Sequence, residues 1–137
     1  MGGDIAPYQI YIRAPAAMLE AKTGLAADST GVKFRGPKFR FKKDNAFRLI
    51  LLSEITSIPS DCTVRVGVYN ATKGAYALYR DYEGATGENE DTLNDLAGLD
   101  DGDRLDLRVE VIAASATAGA TFDLGYANLL IDYTVGY

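Results

Sequence analysis

The chain has no histidine, no tryptophan, one cysteine and only 4 prolines among its 137 residues. Without histidine there is no Ser/His/Asp or Cys/His nucleophile, no imidazole metal ligand and little acid–base chemistry near neutral pH. The single cysteine, Cys62, permits neither an intramolecular disulfide framework nor a multi-cysteine zinc site. In "SDCTVRVGV" it shares strand parity with Val64, Val66 and Val68, so it reads as a small buried hydrophobe. The missing tryptophan and missing cysteine pair exclude an immunoglobulin domain. No apolar run approaches the ~20 residues of a membrane-crossing helix, and no basic and apolar leader opens the chain. The first residues, "MGGDIAP", read as a start and spacer with residues 1–4 flexible. The compartment is therefore undetermined, with an extracellular or virion setting favoured.

What is present suits one ordinary domain over residues 1–137. Apolar residues make up 47% and charged residues 24%, enough to bury a core without staples and far from a disordered composition. Period-two alternation dominates, the mark of a mostly antiparallel β-protein. "YQIYIR" sets Tyr8, Ile10 and Ile12 opposite Gln9, Tyr11 and Arg13. "CTVRVGVYN", the turn "NATKG" and "AYALYRDY" form a hairpin, and "RLDLRVEVI" alternates Leu105, Leu107, Val109 and Val111 with charged residues. Gly36-Pro37 divides the basic segment into two short strands or one bent edge. Phe122 and Leu124 stand on one parity and Leu129, Ile131 and Tyr133 on the other, which predicts a bulge near Gly125. Pro15 and Gly24 bracket an expected helical turn, and a second is expected around Leu93 and Leu96. The expected architecture is all-β: a two-sheet antiparallel β-sandwich of about eight strands, a jelly roll or related Greek key.

Charge is segregated along the chain, whose formal net charge is -5. "VKFRGPKFRFKK" places Lys38, Arg40 and Lys42 on one parity and Phe39 and Phe41 on the other. A platform that stacks nucleobases needs aromatics and cations facing the same groove, so this alternation and the acidic balance argue against nucleic acid. Between Asp81 and Asp106 lie ten acids interrupted by one base, Arg104. If the acidic and basic segments lie on opposite sides of the sandwich, copies dock head to tail. If they lie side by side, they pair internally.

Ile50 and Leu52 occupy the outer parity of their strand and require cover, from the segment between Pro15 and Ala27 or from another subunit. Lys38, Arg40, Lys42, Ile50, Leu52, Glu88, Glu90 and Asp91 are thus the candidate self-association residues, and a homo-oligomer is expected. Asp100, Asp101 and Asp103 stand close together in "LDDGDRLDL" and offer oxygen ligands for Ca²⁺, without the EF-hand spacing and in a pattern that also suits a plain turn. Nine tyrosines raise a carbohydrate reading, with Tyr69, Tyr76, Tyr79 and Tyr82 around one hairpin as candidate ligand-binding residues, although alternation separates Tyr79 from Tyr76 and Tyr82. For catalysis only carboxylate pairs survive, and Asp106 and Glu110 have Arg108 between them, which suits charge pairing better. The leading expectation is a non-catalytic structural subunit of a virion, surface fibre or similar assembly. The alternative is a carbohydrate-binding module with or without calcium.

Overall fold

The computed structural model describes residues 10–135; the strand start at Tyr8, the spacer of residues 1–4 and the terminal Tyr137 lie outside them. The alternating segments become strands β1 (Tyr11–Leu19), β2 (Lys22–Ala26), β3 (Gly31–Arg35), β4 (Phe39–Arg40) and β5 (Ala46–Ser57). They continue as β6 (Thr63–Asn70), β7 (Ala75–Glu83), β8 (Gly87–Leu93), β9 (Arg104–Ala113) and β10 (Thr121–Thr134). A front sheet has the order β1-β10-β5-β8, with β2 also on β10. A back sheet has the order β3-β9-β6-β7, with β4 also on β9. Every pairing is antiparallel.

Because β1 and β2 share the edge of β10, and β3 and β4 share that of β9, the ten strands of the described residues fill eight positions. The first position lies beside the eighth, the second beside the seventh, the third beside the sixth and the fourth beside the fifth. That winding is the double Greek key of a jelly-roll sandwich. The core lies between the sheets, where Leu105, Leu107, Val109 and Val111 of β9 join Leu49, Leu51 and Ile55 of β5 and Leu129 of β10, all essentially solvent-free. Each such aliphatic side chain contributes about 1.5–3 kcal/mol on burial. Cys62 is buried, and burial pushes its thiol pKa up.

Neither expected helical turn forms: the first is replaced by strand, and the second by the end of β8 and a loop. From Tyr11↔Thr134 to Leu19↔Ala127, β1 pairs with β10, and an irregularity between Pro15 and Ala17 absorbs one residue. An edge position tolerates proline, and pairing along β10 outweighs the local helix signal. The acidic stretch forms β8, which pairs with β5 from Leu49↔Leu93 to Ile55↔Gly87. Leu96 and Leu99 beyond it drop into the core instead of forming a helical face. The bulge at Gly125 is present: the register shifts between Leu124 and Tyr126, and a Cβ at 125 would collide with the Glu54 carboxylate. Among the described residues no helix is long and apolar enough to cross a membrane.

Candidate functional site: two charged edges and an aromatic face

The sheet orders decide how the charges are distributed. One long side of the sandwich is made by β1 of the front sheet and by β3 and β4 of the back sheet, with Ala14–Ala16 and Phe39–Lys42 lining a common cleft. The opposite side is made by β7 and β8, which contact each other. Phe34 and Phe39 pack on the core and Phe41 is buried within it. Arg35, Lys38, Arg40 and Lys42 are left exposed along the first side. No ion pair among the described residues engages Lys38, Arg40 or Lys42. On the other side Glu83, Glu88 and Glu90 are exposed. The basic strand and the acidic strand therefore lie at opposite edges of one subunit.

The acidic run is not uniform. Asp91 turns to the inner face of β8, where the Arg80 guanidinium of β7 meets it through two hydrogen bonds of 2.7 and 3.1 Å and ties the two sheets together. Asp100, Asp101 and Asp103 build the turn before β9. Asp103 is buried and its Oδ2 accepts the Asp100 N–H at 2.9 Å and the Asn70 amide at 2.8 Å. The Asp100 N–H, then Asn70 and Lys73, hold its pKa below the ordinary value. Lys73 Nζ lies 3.1 Å from Asp100 and 3.7 Å from Asp103, so an ammonium group already serves these carboxylates. Asp101 accepts the Lys43 N–H at 2.8 Å, which docks the end of the basic segment on the turn. Among the described residues no group of three or more His, Cys, Asp or Glu side chains is arranged to hold a metal ion.

A second bulge creates an aromatic face on the outside of the back sheet. The β6–β7 register runs Val68↔Leu78 and then Tyr69↔Tyr76, so Ala77 is the extra residue and Tyr76 moves to the side occupied by Tyr79. Tyr69, Tyr76 and Tyr79 consequently form a row, edge to face, with centroids 5.2 and 5.8 Å apart. Gly67 makes the row fit, since a Cβ there would stand 2.7 Å from both Tyr76 Cδ1 and Tyr79 Cβ. Arg65 lies 3.9 Å from the Tyr79 centroid and Arg108 lies 3.7 Å from that of Tyr69, within cation–π range. Tyr76 donates to Glu110 at 2.6 Å, and burial together with that bond raises its pKa. Asp106 and Glu110 are thus engaged by Arg108 and Tyr76 respectively. Tyr82 parts from this group: it is buried between the sheets, its hydroxyl 2.7 Å from Ser53 Oγ.

The outer face of the front sheet absorbs the apolar residues that demanded cover. Ile50 is 2% exposed, flanked in register by Leu130 and Thr92, and closes within the subunit. Leu52 is half-buried beside a shallow groove of about 400 Å³ with Pro15, Met18, Asn128 and Leu130. Exposed Ile12 and Met18 lie on β1, and exposed Ile10 directly precedes it. β1 is clamped by Asp132, which accepts from Arg13 at 2.8 and 3.1 Å and from Arg48 at 2.6 Å. Burial pushes the Asp132 pKa up, but the two guanidinium groups outweigh it and hold the carboxyl below its ordinary value. Sequence reasoning missed this clamp because Arg13 and Asp132 stand 119 residues apart.

No family model and no curated protein matches the chain. Among solved structures, one described as "BiXyn10A CBM1 APO" is similar with a TM-score of 0.37 and 10% identity, over 93% of this chain and 98% of that one.

Proposed function

We propose that the protein is a non-catalytic structural subunit that self-associates head to tail in a virion, surface fibre or comparable assembly. The observation that supports this reading best is the placement of exposed Lys38, Arg40 and Lys42 at one edge and of exposed Glu88 and Glu90 at the other. A contact between unlike edges is heterologous: it uses each surface once per copy and propagates into rings or filaments. The exposed apolar groups of β1 add area to the basic edge. Light scattering across protein concentration tests the reading. Mass grows with concentration in low salt and falls back toward the monomer as salt shortens the Debye length to about 3 Å near 1 M. A monomer at every concentration in low salt contradicts it.

A second reading, a carbohydrate-binding module, is favoured by the bulge at Ala77. It gathers Tyr69, Tyr76 and Tyr79 on one outer face, where Tyr79 is 45% exposed beside the Arg65–Asp81 pair and the Tyr76–Glu110 hydrogen bond. Screening on a glycan array, followed by melting with and without the best-binding sugars, tests it. An empty array with unchanged melting removes it.

A further inference from the structure

The strand directions specify how such copies meet, and this inference rests on the head-to-tail reading. The front sheet has four positions, all antiparallel, so its two outermost strands, β1 and β8, run in opposite directions. Among the described residues neither outer edge has a strand partner. Unpaired edges recruit other strands unless something blocks them; Pro15 and the irregularity after it interrupt β1 locally and leave the segments on either side of it open to pairing. β8 spans seven residues and β1 nine, so β1 is long enough to pair with the whole of β8.

We infer that the front sheet continues from copy to copy, with β8 of one subunit pairing antiparallel with β1 of the next. A neighbour displaced along the sheet without turning presents β1 in the direction that antiparallel pairing with β8 requires. The back sheet has the same alternation, so β7 meets β3 and β4 of the neighbour in the same step. Two-fold pairing of β8 with β8 would also be antiparallel, but it would set Glu88 and Glu90 against their own copies. Like charges directly opposite across a strand pair are destabilising. Two-fold pairing of β1 with β1 would set the basic edge of β3 and β4 against its own copy. The charge pattern thus disfavours both symmetric pairings and leaves the unlike one, in which β8 with Glu88 and Glu90 meets β1 of the neighbour while β7 meets the basic β3 and β4.

Amide hydrogen exchange on the full chain, at concentrations below and above association, tests the inference. Association should slow exchange by about tenfold or more at amides in both 11–19 and 87–93, and leave β10 and β5, already paired on both sides, unchanged. Association without protection of these two edges overturns the strand pairing while the head-to-tail reading survives. Protection of 87–93 alone indicates β8 against β8 and also overturns it. Absence of any association overturns both.

Discussion

Arg80 Nη2 lies 2.7 Å from Asp91 Oδ1, and this pair joins the edge strand of one sheet to the edge strand of the other. Two neighbours on β8 thereby have different roles: Asp91 serves the subunit's interior edge, whereas Glu90 points outward. Asp91→Ala should therefore cost about 1 kcal/mol of stability and leave association intact, as for a partly exposed bidentate pair. Glu90→Lys should leave melting nearly unchanged and weaken association. Denaturant melts and light scattering on both variants check the division; association lost in Asp91→Ala and kept in Glu90→Lys contradicts it.

The Asp132 clamp makes a pH prediction. Its folded pKa lies below the ordinary aspartate value of 3.8, so its stabilisation is fully present above that value and is lost as pH falls through the folded pKa. Asp132→Asn removes the buried carboxylate and leaves Arg13 and Arg48 facing each other, at a cost of about 3 kcal/mol near neutral pH. Thermal melts should show the gap between wild type and variant closing as the pH drops below 3.8. A gap that stays constant contradicts the assignment.

Much of the fold was legible because the physics behind it is local. Leu105 to Val111 alternate cleanly, Phe39 and Phe41 point inward as their parity requires, and the mismatch between Leu124 and Leu129 implied the bulge that Gly125 supplies. What was not legible depends on partners distant in sequence. β8 is polar on both faces and becomes a strand only because β5 offers a free edge. Tyr76 reaches the face of Tyr79 through one extra residue, Ala77, that parity cannot reveal. Lys73 beside Asp100 and Asp103 likewise emerges only once the turns before β7 and β9 meet.

Gly67→Ala probes the aromatic row. The new methyl would press on Tyr76, on Tyr79 and on the Leu78 carbonyl, which stands 2.9 Å from the Cβ position. The expected loss is about 1–3 kcal/mol, with a near-ultraviolet circular dichroism change from the displaced tyrosines. An unperturbed tyrosine signal contradicts the packing described.

Calcium chloride should leave the melting temperature unchanged, because Lys73 already sits against Asp100 and Asp103. In Lys73→Ala the same addition tests whether the turn accepts a cation once the ammonium is gone. A calcium-induced rise in the unaltered protein contradicts the account of Lys73.

The central claim, that unlike edges join, is tested most directly by mixing two charge-reversed variants. One carries Lys38→Glu, Arg40→Glu and Lys42→Glu and so has two acidic edges; the other carries Glu88→Lys and Glu90→Lys and so has two basic ones. Sedimentation velocity should show each variant alone as a monomer and the equimolar mixture as larger species containing both. Self-association of either variant alone, or a mixture that stays monomeric while the unaltered protein associates, would contradict it.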